Sequence, residues 1–231
     1  MTEQEIASIC KKYNIRSWKL NPQTNLIDVE KSVVLSGIKL SELPLPFGDV
    51  IGDFYCSSNN LTSLEHSPNY VSGGFYCYGN KLTSLEYAPK NIGGSFDCTD
   101  NNLTSLEHSP ENVGGNFVCY NNNLTSLEYA PKNVGGYFYC FSNNLTSLKS
   151  LFFDINGQSR NIYIGGDLRC SNNPIPIYEY RWWFLGTMKD NVVGGKIKTG
   201  NENLSNFLNE HKAPDARDLP KLFAELRKFE K

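Results

Sequence analysis

Neither sign of charge dominates this chain: 22 Lys and Arg stand against 24 Asp and Glu in 231 residues, a net charge of −2. Nonspecific nucleic-acid binding needs a basic stripe, and the repeated part of the sequence is poor in Lys and Arg, so no nucleic-acid partner is expected. No apolar run reaches membrane-spanning length, and the opening Met-Thr-Glu-Gln-Glu has none of the regions of a secretory signal. No membrane association and a cytoplasmic location are therefore expected. Histidine is scarce: His66, His108 and His211 are the only three, and the first two lie two repeats apart with no nucleophile brought to them. There is no Cys-x-x-Cys pair, Gly-rich phosphate loop, Ser-His-Asp set or metal triad. A non-enzymatic chain with no cofactor and no metal is the expectation.

What the sequence has in abundance is repetition. Cys56, Cys77, Cys98, Cys119 and Cys140 follow one another at intervals of 21 residues, each preceded by Phe-x and followed three residues later by Asn. A fixed period near twenty is the mark of a solenoid. One coil reads Gly-Gly-x-Phe-x-Cys-x-x-Asn-Asn-Leu-Thr-Ser-Leu-Glu-x-x-Pro-x-x-Val. Leu35 stands in the cysteine column one period earlier, and Cys170 continues it after a nine-residue insertion that must bulge from the stack around residues 152–162. About seven coils result, the first and last degenerate, as end repeats usually are.

Each column has a physical reading. Phe-x-Cys alternates with period two, so it is a short strand with one face buried. Phe54, Phe75, Phe96, Phe117 and Phe138 should stack in the interior with the thiols beside them. Each buried Phe contributes about 1.5–3 kcal/mol, whereas ordering a coil costs roughly 1.5 kcal/mol per residue, so no coil folds alone. Asn59, Asn80, Asn101, Asn122, Asn143 and Asn173 mark a turn whose bare backbone groups a side-chain amide can bond. Gly52, Gly73, Gly94, Gly115, Gly136 and Gly166 call for positive φ or a close backbone approach. The thiols are expected to be reduced and buried, since free Cys behaves as a small apolar group.

The ends differ from the repeat. Thr2 and Glu5 form a capping-box pattern opening a helix over residues 2–14. Residues 177–185 are apolar and aromatic, and a Gly-rich segment follows. Leu204, Phe207 and Leu208 suggest a short helix, and Asp218 should cap a last one carrying Leu219, Leu222, Phe223, Leu226 and Phe229. The expected organisation is an N-terminal helical cap and entry segment (1–30), a solenoid (31–175) and a C-terminal cap with amphipathic helices (176–231).

The motif Phe-x-Cys-x-x-Asn-x-Leu-x-x-Leu resembles the leucine-rich repeat, with Phe and Cys in place of two leucines. The fuller wording, Gly-Gly-x-Phe-x-Cys with Asn-Asn-Leu-Thr-Ser-Leu-Glu, is similar to a subgroup found in bacteriophage proteins and their bacterial relatives. Asn25-Leu-Ile-Asp-Val, running on to Leu40 and Leu43-Pro44, resembles the entry module of that subgroup, and Asn173-Pro174-Ile175 its exit. The resemblance covers roughly residues 18–180 and implies a leucine-rich-repeat-like solenoid of short stacked parallel strands with mostly irregular return segments and helical caps. It carries over no catalytic residue.

In that architecture the strand residues flanking the inward Phe and Cys form a concave outer surface. Here they are Tyr55, Tyr76, Asp97, Val118, Tyr139 and Arg169 in one column. Ser57, Tyr78, Thr99, Tyr120, Phe141 and Ser171 form the next, with Tyr137 and Asp167 beside them. These positions vary while the core letters do not, and aromatic residues over several coils have the composition of a binding hot spot. A protein partner bound at Tyr55, Tyr76, Tyr78, Asp97, Tyr120, Tyr137, Tyr139, Phe141 and Arg169 is the leading expectation. The resemblance extends it to a phage-encoded inhibitor or modulator of a host protein or defence system, acting in the host cytoplasm. The alternative is a structural protein that oligomerises through its ends or its C-terminal helix; the sequence is compatible with a monomer and with a homo-oligomer. Glu65, Glu86, Glu107 and Glu128 form a ladder of like charge, read as solvated rather than as cation ligands. Coils alternate His-Ser-Pro (66–68, 108–110) with Tyr-Ala-Pro (87–89, 129–131), so the unit of duplication is 42 residues.

Overall fold

In the computed structural model, which describes residues 1–187 and 191–230, every regular coil lays down two short strands. Tyr70–Val71 is followed by Phe75–Tyr76, with Ser72, Gly73 and Gly74 turning the corner between them. Successive coils stack these strands into two sheets. One has eight parallel strands, from Val33–Val34 to Ile197–Lys198. The other has nine; its first strand, Trp18–Leu20, pairs antiparallel with Ile27–Val29, and parallel strands follow as far as Val192–Val193. The register repeats the cysteine spacing: Phe75 pairs with Phe96, and Phe96 with Phe117. The protein is a parallel β-solenoid with a repeat of about 21 residues and helices at its ends.

The eight-stranded ladder runs one coil past the segment 31–175 expected for the solenoid. Leu168–Arg169 pairs with Ile197–Lys198. Gly194-Gly195-Lys196-Ile197-Lys198-Thr199 is the strand motif with Ile for Phe and Thr for Cys, substitutions that hid it as a Gly-rich segment. The aromatic stretch at 177–185 therefore belongs to an insertion between two rungs. It forms a 3-10 turn at Ile177–Tyr180 and a helix at Arg181–Thr187.

Among the described residues there are five α-helices: α1 (Glu3–Lys12), α2 (Lys149–Phe152), α3 (Arg181–Thr187), α4 (Glu202–Glu210) and α5 (Leu219–Leu226). The Thr2–Glu5 capping box holds the start of α1 from both sides, and Ile6 and Cys10 seat it on the core. α2 opens the bulge expected at 152–162. Arg160 ties that bulge down, its guanidinium donating to the carbonyls of Leu127, Ala130, Ser150 and Leu151. α4 closes the far end: Trp183 Nε1 donates to Leu208 O at 2.9 Å, and Phe184 packs against Phe207 and Phe223. The cap expected at Asp218 is corrected. Asp218 makes no side-chain cap bond, while Asp215 accepts the Arg217 amide at 2.9 Å, because the 3-10 turn Ala216–Asp218 starts the helical path one turn earlier.

The core follows the columns. Phe54, Phe75, Phe96, Phe117 and Phe138 are fully buried and lie ring on ring at 5.0–5.8 Å. All seven thiols are free and buried, and burial pushes them up, Cys10 to about 11 and Cys170 to about 12. They are packing groups held far from the thiolate form. At the corner, a Cβ on Gly114 would overlap the carbonyl oxygen of Gly93, and one on Gly135 that of Gly114. Close backbone approach, the second of the two reasons expected for glycine here, therefore also governs the neighbouring column of the pair.

A second column of backbone strain is not glycine. Ser67 N–H closes a turn on Leu64 O, and Ala88 N–H one on Leu85 O. The residue before the donor is left-handed in each: His66 (φ 73°), Tyr87 (69°), His108 (66°) and Tyr129 (64°). A turn of this type favours Gly there, and a bulky residue costs on the order of 1 kcal/mol. Tyr87 and Tyr129 are exposed, so little packing offsets it. The double variant Tyr87→Gly/Tyr129→Gly is expected to unfold at higher urea, by roughly 1–2 kcal/mol in total; an unchanged or lower midpoint would show that these rings contribute more than their backbone costs.

Candidate partner-binding face

The strand alternation that buries Phe and Cys turns the intervening side chains outward. Tyr55, Tyr76, Asp97, Val118, Tyr139 and Arg169 pair in register along the eight-stranded sheet. Tyr78, Tyr120 and Phe141 stand two residues further along their strands, and Tyr137 two residues before Tyr139. All nine residues singled out in the sequence lie on this one face. They are not equally open: Tyr78 and Tyr137 are exposed, while the other seven are half-buried. The rings cover one another. Tyr55 stacks on Tyr76 at 4.7 Å, Tyr120 on Phe141 at 4.2 Å, and Tyr137 on Tyr139 at 5.5 Å. The Arg169 guanidinium lies 4.8 Å from the centre of the Tyr139 ring and 5.9 Å from that of Tyr137.

The aromatic surface is therefore two clusters rather than one stripe. Tyr55, Tyr76 and Tyr78 form the first; Tyr120, Tyr137, Tyr139 and Phe141 form the second. Between them the coil of Phe96 carries only the shorter side chains of Ser95, Asp97 and Thr99, and Thr99 and Val118 are buried. Composition shows the short side chains, but that they divide the face follows from which rings stack across which rung.

Burial raises the Asp97 carboxyl above the ordinary range, against the pull of the Thr99 side chain and of the Thr99 amide, which donates to it at 3.0 Å. Burial likewise raises the phenols of Tyr55 and Tyr76, with the negative charge of Asp53 adding to both. Lys196 and Lys198 extend the face at the eighth rung. The sequence reading missed them because that coil was hidden; the Gly-Gly-x-Ile-x-Thr pattern was the available signal.

Elsewhere the surface offers less chemistry. Glu65, Glu86, Glu107 and Glu128 are exposed. No group of three or more His, Cys, Asp or Glu that could hold a metal ion is found among the described residues. An open cleft of about 470 Å³ lies on the return segments beside Lys90, His108, Tyr129, Lys132, Asp154 and Arg160. Its charges are mixed, and the Arg160 guanidinium is spent on backbone carbonyls. No described helix is long and apolar enough to cross a membrane. No family model matches the chain, and no curated protein matches it in sequence.

Proposed function

We propose that this chain is a non-enzymatic interaction module that binds a protein partner through the aromatic face of its eight-stranded sheet. The observation that carries the reading is the pair of ring clusters, Tyr55–Tyr76–Tyr78 and Tyr120–Tyr137–Tyr139–Phe141, held on a rigid ladder with Tyr78 and Tyr137 open to solvent. Preorganised aromatic rings lose little side-chain entropy on binding and form the anchors of protein interfaces. The leucine-rich-repeat resemblance of the Phe-x-Cys-x-x-Asn-x-Leu motif supports a binding rather than a catalytic role. Its phage-type wording supports the narrower version, an inhibitor or modulator of a host protein acting in the host cytoplasm.

The assembly reading has one feature in its favour, the outer edge of Val33–Val34, which no strand covers. At the other end this chain supplies its own cover. Asn209 bonds both the N–H and the C=O of Ile197, as a next strand would, and Lys212 Nζ donates to Val193 O and Gly195 O. A covered last rung works against head-to-tail stacking, which supports the binding module over assembly.

The test is affinity capture from the natural host with identification by mass spectrometry, comparing the native chain with Tyr78→Ala/Tyr120→Ala. The double variant should keep its fold, monitored by circular dichroism, and weaken capture of the partner at least about tenfold, since central aromatic anchors cost 2 kcal/mol or more on truncation. Undiminished capture of the same partner overturns the aromatic-face reading.

A further inference from the structure

The charged groups on the aromatic face differ in how far the fold satisfies them. Asp53 takes the Gly74 amide at 2.7 Å and the Tyr55 hydroxyl at 3.1 Å. Asp167 takes the Lys196 amide at 2.9 Å and faces Lys198 Nζ at 3.6 Å. Asp97 and Arg169 are different. Asp97 receives the Thr99 amide, and no Lys, Arg or His lies within salt-bridge distance among the described residues. Among the described residues Arg169 has no carboxylate within that distance, and its buried Nε has no hydrogen-bond partner. Beside Asp97, the Thr99 hydroxyl is buried in a residue only 2% exposed, and that side chain pulls on the same carboxylate.

Half-buried charge without a partner is costly, and the fold holds two such charges of opposite sign on one face. Each sits where a long side chain can reach it. Asp97 lies between the two clusters, one rung from Tyr76 and one rung from the coil that carries Tyr120, rings suited to the aliphatic stem and the cation of a Lys or Arg. The Arg169 guanidinium lies over the Tyr139 ring, its charge at the margin of the second cluster. Asp97, Val118, Tyr139 and Arg169 are successive rungs, so the two charges are roughly 14 Å apart at the usual strand spacing. An extended peptide advances about 3.3 Å per residue, so roughly four residues cover that distance.

We propose that this face recognises an extended segment of its protein partner that runs along the ladder, placing a basic side chain on Asp97 and, roughly four residues away, an acidic one on Arg169. The proposal rests on the reading that the aromatic face is the binding surface, and it adds the charge pattern of the ligand. Each incoming group gains a charge-assisted hydrogen bond in a partly desolvated site and relieves the charge it meets.

The experiment is selection of a random peptide library on the full-length immobilised chain, with the best peptide then measured by calorimetry. Selected peptides should be enriched in Lys or Arg together with Asp or Glu at a separation of roughly four residues. Selection on Asp97→Asn should lose the basic preference and keep the acidic one; Arg169→Gln should do the reverse. Each variant should weaken the best peptide about tenfold or more, the scale of a lost charge-assisted hydrogen bond. Peptides without paired charges, peptides indifferent to both variants, or no enriched peptide at all would overturn the proposal. Tyr78→Ala/Tyr120→Ala separates this from failure of the underlying reading. If it abolishes peptide binding while the charge variants do not, the aromatic face stands and the charge pattern falls. If selected peptides ignore it, the face itself falls.

Discussion

Asn101→Leu is expected to cost roughly 2–4 kcal/mol of stability, a large effect for a substitution that preserves volume in a buried site. The Asn101 side chain ties two coils together. Its Nδ2 donates to Cys98 O and Thr99 O in its own coil and to Cys77 O in the preceding one, at 3.1–3.2 Å. Its Oδ1 accepts the N–H of Leu82 at 3.0 Å. Leucine can do neither. The carbonyls of Cys77 and Cys98 retain the amides of Asn80 and Asn122, so their loss is partial. Leu82 N–H is left with no acceptor in the core, and an orphaned buried donor costs about 1–3 kcal/mol by itself. Asn101→Asp should be worse, because its second oxygen faces three carbonyls to which it cannot donate. Urea unfolding reads both variants; a midpoint for Asn101→Leu equal to that of the native chain would show that this ladder of amides is dispensable.

Gly114→Ala is expected to be comparably damaging, near 3 kcal/mol, because overpacking here meets backbone rather than a movable side chain. Gly114 is exposed, so burial does not announce the problem. The added carbon would occupy the place of the Gly93 carbonyl oxygen. Relief requires the two coils to separate, stretching Gly114 N–H to Ile92 O (2.9 Å) and Gly115 N–H to Gly94 O (2.8 Å). Gly157→Ala is the control. It lies in the 152–162 bulge at φ 75° with nothing within 4 Å of a Cβ, so it bears only the left-handed strain of about 1 kcal/mol. Thermal unfolding of the two variants side by side should show the loss at Gly114 exceeding that at Gly157. Equal losses would mean that the corner column responds to conformational freedom and not to the close approach of coils.

Much of this was legible because a solenoid turns linear period into spatial register. Once Cys56, Cys77, Cys98, Cys119 and Cys140 are seen to recur, the pairing of Phe75 with Phe96 and the column containing Tyr55, Tyr76 and Asp97 follow without knowledge of the rest of the molecule. The Asn column was readable as a turn group, but its bonds reach the preceding coil as well as its own, which no single repeat displays. The second strand of each coil, such as Asn91–Ile92, was lost in what reads as an irregular return segment: two residues are too short for a periodic signal, and only pairing with neighbours makes them a strand. The eighth rung was hidden by Ile197 and Thr199 in place of Phe and Cys and by the insertion before it.

The sequence by itself determined the repeat, the strand register and the identity of the outward columns, since a period of 21 residues leaves each side chain one place to point. Only the tertiary structure decided where the ladder stops, that Asn209 and Lys212 seal its last rung, and that the aromatic rings gather in two clusters. It alone also showed that Asp167 faces Lys198, whereas Asp97 and Arg169 have no counter-charge among the described residues. Those outcomes depend on distances between side chains of different coils and insertions. Hydrogen bonds and ion pairs fall away over an ångström or two, a resolution that spacing along a chain does not carry.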